Sequence, residues 1–133
     1  CDLEFSKAQA YQKEFGCKAY DNYHRMIQEN PQINTVAVIT PSGMHLEHVK
    51  DIINRYRKNI IVEKPTFMRP SDVSEVQACA EAAGVRLFPV FQNRHNKAVQ
   101  RVLQGLHAEE LGSLRMASVR VRWCRPDRFR LRR

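Results

Sequence analysis

The sequence contains no apolar run approaching the length that crosses a bilayer, and no charged-then-apolar leader opens it. Those two absences point away from a membrane-spanning or secreted chain. Its four cysteines, Cys1, Cys17, Cys79 and Cys124, include no C-x-x-C pair. That spacing argues against a zinc knuckle or a disulfide framework, and for reduced thiols in a cytoplasmic protein. Internal repeats and low-complexity tracts are also missing ahead of an arginine-rich end.

What remains is an ordinary globular composition, 43% hydrophobic and 27% charged. A chain of 133 residues can hold one domain with a sizeable core, or one domain and part of another. The net charge of +8 is unevenly placed. Through residue 114 there are 14 basic against 13 acidic side chains, whereas eight arginines and one aspartate follow from Arg115 onward. Cys1 stands where a methionine would open a chain, within what reads as an element already under way. The expectation is a segment that lacks its own beginning.

Read for periodicity, Cys1-Asp2-Leu3 closes a strand and leads into a helix over 7–15, capped by Ser6, with Ala8, Tyr11 and Phe15 on one face and Gly16 as terminator. Asp21 caps a second helix to about Glu29, which Asn30-Pro31 ends. Thr35 to Thr40 reads as a buried strand, and Pro41-Ser42-Gly43 as its turn. A helix follows from about His45 to Tyr56, with Leu46, Val49, Ile52, Ile53 and Tyr56 inward. Ile60-Ile61-Val62 reads as a strand buried on both faces, stopped by Glu63-Lys64-Pro65 because proline cannot donate to a ladder. Ser71 caps a helix over 72–83, with Val73, Val76, Ala80 and Ala83 inward, and Gly84 ends it. Arg86 to Phe91 is a strand that Pro89 confines to an edge. A helix from about Asn96 to Leu106 carries Val99, Val102, Leu103 and Leu106 on one stripe. Leu114 to Trp123 alternates and predicts a strand with one buried face. The alternation of strands with helices of about a dozen residues predicts an α/β fold, a parallel sheet with crossover helices. A boundary near Phe91 to Arg94 separates residues 1–91 from 92–133.

Several polar groups fall at strand ends, where open α/β sheets bind ligands. Asp2 is placed to accept ribose hydroxyls; an aspartate that merely precedes a helix looks the same. Thr40-Pro41-Ser42-Gly43-Met44-His45 offers small residues and a helix N-terminus to a cofactor, or serves turn geometry alone. Lys64 can polarise or anchor a hydroxyl, or be a solvated strand end. Gln92-Asn93-Arg94-His95 can reach into a cleft, or simply join two domains. His45 and His48 enclose Glu47, but the H-E-x-x-H pattern is not met and no third ligand is near in sequence, so no metal is expected.

As a set, these motifs resemble the Gfo/Idh/MocA family of NAD(P)-dependent oxidoreductases. The resemblance rests on the acid after the second strand, Thr-Pro-Ser-x-x-His, then Glu-Lys-Pro one β–α unit later, then Gln-Asn-Arg. It implies a partial Rossmann domain followed by the start of a second α/β domain with an open sheet. It implies Lys64 as the catalytic, substrate-contacting lysine. Glu63, Lys64, Pro65 and Gln92 would lie at the cofactor, with Thr40, Pro41, Ser42 and His45 lining it and Asp2 on the ribose. Asn93 and Arg94 would face nicotinamide or substrate. NAD is the implied cofactor, with NADP open, and hydride would pass between nicotinamide and a hydroxyl carbon of a sugar or nucleotide sugar. Arg-Trp-Cys-Arg-Pro (Arg122 to Pro126) resembles the branch that oxidises nucleotide-linked N-acetylamino-sugar uronates.

The resemblance implies homo-oligomeric full-length relatives, and neither a specific nucleic acid nor a membrane partner. Two family features do not occur in the chain: a Gly-rich phosphate loop, which should precede Cys1, and an Asp-x-x-x-His pair in the second domain. The alternatives are a non-catalytic remnant, or an anion-binding segment built on Arg125 to Arg133.

Overall fold

Three short, mostly apolar stretches pair as the sheet around which the first unit, Cys1–Phe91, is built. They are β1 (Thr35–Val38), β2 (Asn59–Val62) and β3 (Leu87–Pro89). All pairings are parallel, in the order β1-β2-β3. In this computed structural model the described residues are 1–122.

Register aligns the side chains in rows. Val36, Ile60 and Leu87 lie abreast, as do Val38, Val62 and Pro89, and both rows point to one face. The helices α3 (His45–Tyr56) and α4 (Pro70–Ala83) cover that face. Val49, Ile52 and Ile53 of α3 and Val76 and Ala80 of α4 form one core with Val36, Val38, Ile60 and Val62. Ile27 of α2 (Tyr23–Gln28) joins the same core.

The row between them, Ala37-Ile61-Phe88, points the other way. Ile61 is 39% and Phe88 46% exposed, which corrects the expectation that β2 is buried on both faces. The reason is topological. Two successive crossovers that step the same way across a parallel sheet, both right-handed, must lay their helices on the same side.

Caps explain where the helix boundaries differ from expectation. The first helix, α1, spans Phe5–Phe15, two residues earlier than predicted, and Ser6 lies inside it. Its entry is fixed by Asp2, whose carboxylate accepts from the Glu4 N–H at 2.9 Å. Gly16 ends α1 in the left-handed region at φ 67, a conformation a side chain disfavours. Of the predicted inward face of α1 only Ala8 is buried; Tyr11 and Phe15 stack on each other at 5.8 Å in solvent. Asn22, not Asp21, caps α2, its side-chain oxygen accepting from the N–H groups of His24 and Arg25. In α4 the helix starts before Ser71 because Pro70 suits the first helical position, lacking an N–H that would have no partner there. The Asp72 carboxylate accepts from Arg69 N–H at 3.2 Å and closes that entry. Gly84 terminates α4, as predicted.

The second unit begins at Gln92. A 3₁₀ turn, Gln92–His95, precedes α5 (Lys97–His107), capped by Asn96 through Ala98 N–H. Val99, Val102 and Leu103 make its apolar stripe and are half-exposed. The predicted strand is not formed over residues 114–122, and Met116, Val119 and Val121 are exposed. A strand is stable only against a partner, and these residues have none among the described residues. Trp123 and the arginine-rich end from Arg125 lie outside the described residues.

The burial contrast predicts a contrast in stability. Ile53→Ala, in a fully buried site, should cost ~2–5 kcal/mol in urea unfolding. Ile61→Ala, on the open face, should cost under about 1 kcal/mol. Equal losses would show that the open face is covered in solution.

Candidate cofactor and substrate site

The ends of β1 and β2 bring together two of the polar motifs. The ladder continues one step past the strands, with Glu63 N–H donating to Val38 carbonyl at 3.0 Å. The segments that follow, Thr40-Pro41-Ser42 and Glu63-Lys64-Pro65, therefore leave the sheet side by side. A 3₁₀ turn over Ser42–Met44 runs directly into α3. Thr40 and Pro41 are exposed and Ser42 is half-buried. Glu63 is half-buried, and its carboxylate accepts from the N–H of Lys64, while the Lys64 side chain is exposed. The Lys64–Pro65 peptide is cis.

His45 stands between these turns. It is only 1% exposed, with Nε2 2.7 Å from the carbonyl oxygen of Thr40 and Nδ1 2.9 Å from that of Pro65. One turn along α3, His48 places Nδ1 3.1 Å from the Thr40 hydroxyl. The spacing of three between His45 and His48 puts both rings on one side of the first turn of α3, the sequence signal for this pairing with Thr40. Among the described residues no three His, Cys, Asp or Glu side chains converge to hold a metal.

Asp2 is exposed, and its backbone N–H donates to Tyr20 carbonyl at 3.1 Å, an extended contact between the chain start and the segment before Asn22. One carboxylate oxygen binds Glu4 N–H, which leaves the second for a hydroxyl ligand. Gln92, Asn93 and Arg94 are all exposed and belong to the second unit.

Behind His48 lies a polar cluster whose members are scattered over two helices in the sequence. Tyr23 donates to the Asp51 carboxylate at 2.9 Å, Arg55 pairs with the same carboxylate at 2.6 Å, and His24 Nδ1 lies 2.7 Å from the Tyr56 hydroxyl. Tyr23 also meets the His48 ring edge-on, centroids 5.4 Å apart. The cluster fastens α2 to α3. Desolvation, and then the bond to Asp51 with its negative charge, push the Tyr23 hydroxyl up from the ordinary 10.0 to about 12.

Adjacent parallel strands carrying polar turns at their carboxyl ends make a nucleotide-type α/β site, and comparison with known proteins gives the same class. The model for the Gfo/Idh/MocA "Oxidoreductase family, NAD-binding Rossmann fold" matches residues 1–91. The chain belongs to that family. Among curated relatives, the dTDP-3,4-didehydro-2,6-dideoxy-alpha-D-glucose 3-reductase of Saccharopolyspora spinosa is 29% identical over 110 residues, 83% of this chain and 32% of that protein. The scyllo-inositol 2-dehydrogenase (NADP(+)) of Bacillus subtilis is 35% identical over 68 residues, 51% of this chain and 18% of that protein.

A solved relative is the WlbA dehydrogenase of Bordetella pertussis, in complex with NADH and UDP-GlcNAcA. It superposes with a TM-score of 0.74 at 27% identity, covering 84% of this chain and 32% of that one. The chain thus spans about a third of the length of these two longer matches. No helix among the described residues is long and apolar enough to cross a membrane.

The Tyr23 shift has a definite sign. A raised folded-state value means neutral Tyr23 contributes stability that is complete below pH 10.0 and is lost as pH rises towards about 12. Urea midpoints should fall across that interval, and fall less in Tyr23→Phe. The same decline in both proteins would remove Tyr23 as its source.

Proposed function

We propose that this chain is the part of an NAD-dependent dehydrogenase that holds the nicotinamide end of the cofactor beside a substrate-contacting lysine. The observation that carries the reading is the side-by-side exit of Thr40-Pro41-Ser42 and Glu63-Lys64-Pro65 from adjacent strands. Sugars and nucleotide sugars are the substrate class, as named for the relatives from S. spinosa and B. pertussis.

The donor set fits NAD. Thr40 and Ser42 present hydroxyls, and Cβ atoms are no obstacle at the turn, since one added at Gly43 would meet nothing within 4 Å. An aspartate at position 2 suits ribose hydroxyls and repels a 2′-phosphate, which favours NAD over NADP. Bound NAD supplies the hydride acceptor.

The residues divide the remaining work. Lys64, exposed at the strand end, would anchor and polarise the substrate hydroxyl whose carbon passes hydride to nicotinamide, with the hydroxyl proton lost to water. Glu63 accepts from the Lys64 N–H and so holds the lysine backbone. Pro65 ends the sheet ladder and opens the turn. Gln92, Asn93 and Arg94 are exposed polar groups suited to contact a cofactor or substrate, and they open the second unit, which we read as the start of a substrate and dimerisation domain.

Calorimetric titration of the chain with NADH is expected to give a Kd below roughly 1 mM, a binding free energy beyond about −4 kcal/mol. Absence of heat at that concentration would favour the non-catalytic reading. In the complete enzyme, Lys64→Ala should lower turnover of a nucleotide-sugar substrate by ~10²–10⁴ while shifting stability by less than about 0.5 kcal/mol. Equal loss of stability and activity would sink the role given to Lys64.

A further inference from the structure

We propose that His45 is a positioning residue, acting on cofactor and substrate through Thr40 and Lys64 without touching either. What it positions rests on the function proposed above; the clasp itself stands on geometry. An imidazole has two polar atoms, and both of these face main-chain carbonyls, Thr40 at 2.7 Å and Pro65 at 2.9 Å. With the ring 1% exposed, no ring atom is left for a ligand.

The two carbonyls belong to different turns, one after β1 and the other after β2. A single rigid ring spans both only with an N–H on each nitrogen, because carbonyls accept and a ring with one N–H would donate to one turn alone. Pro65 directly follows Lys64, so holding the Pro65 carbonyl holds the backbone from which the lysine side chain extends. Thr40 is held twice, by its carbonyl through His45 and by its hydroxyl through His48. A ring has few rotamers to lose, so the spacing of the turns is set at small entropic cost. A residue present for volume alone would behave differently, because an apolar side chain of similar size could replace it.

Carboxamides separate the two ties. In His45→Asn the amide nitrogen falls near the place of Nδ1 and can keep the bond to Pro65. In His45→Gln it falls near Nε2 and can keep the bond to Thr40. The experiment compares backbone amide spectra of the ¹⁵N-labelled chain with these two variants and with His45→Leu. The expected result is that His45→Leu shifts amides of residues 40–44 and 63–67 together, His45→Gln chiefly 63–67, and His45→Asn chiefly 40–44. Resonances of α4 and β3 should stay in place and report the fold; if His45→Leu does not fold, the Asn and Gln pair decides. A ring N–H of His45 should also exchange far more slowly than that of exposed His107.

Both turns moving alike in Asn and Gln variants, neither turn moving, or a His45 ring proton exchanging as fast as that of His107 would each overturn the clasp. NADH titration of the same samples should show about tenfold weaker binding in whichever variant displaces residues 40–44. If the unsubstituted chain binds no NADH, the proposed function fails while the spectra still decide the clasp.

Discussion

The parallel register of β1 on β2 is the constraint from which the rest of the first unit follows. With Val36 against Ile60 and Val38 against Val62, every second side chain enters one core and every intervening one leaves it. The same register sets both strand ends at one level, so that Glu63 N–H can take the Val38 carbonyl. A slip of one residue would reverse the faces of β2 and place Lys64 opposite a different part of the Thr40 turn. Core packing and site geometry are thus one specification. The side chains that enforce it, Val49, Ile52, Ile53 and Val76, are fully or nearly fully buried and carry no chemistry.

Much of this was legible in the sequence, because the informative signals were local. The spacing of Val49, Ile52 and Ile53 gave α3 its inward face and its limits, and Gly16 and Gly84 marked helix ends by the backbone conformation they permit. Pro89 marked an edge strand, and β3 is one of the two edges of the sheet among the described residues. The errors came where the deciding partner is distant or competes locally. Ile61 reads as buried from its neighbours, but only the sidedness of the crossovers determines which face the helices cover. Ser6 and Asp21 are good capping residues displaced by neighbours whose contacts the sequence does not display, Asp2 to Glu4 and Asn22 to His24. Alternation from Leu114 onward is a real strand signal, yet a strand needs a second chain segment to accept its hydrogen bonds.

The candidate site was legible in part for the same reason. Thr40-Pro41-Ser42 and Glu63-Lys64-Pro65 announce themselves as breaks after apolar runs, and the resemblance to a known family assigned them to one place. The polar links between them were not visible. His45 reads as the first residue of a helix, and nothing local says that its ring is enclosed between two carbonyls. Tyr23, His24, Asp51, Arg55 and Tyr56 are scattered over two helices and form a cluster only once α2 docks on α3.

Burial divides the histidine from the lysine in a way that suits different tasks. An exposed ammonium on a long stem can meet a substrate hydroxyl, but it has many rotamers and needs a fixed root. A buried imidazole is poorly placed for chemistry with a bound molecule, yet well placed to fix that root, since each hydrogen bond it makes gains strength away from water. On the roles proposed for the two residues, the exposed lysine does the contacting and the buried histidine fixes the backbone beside it.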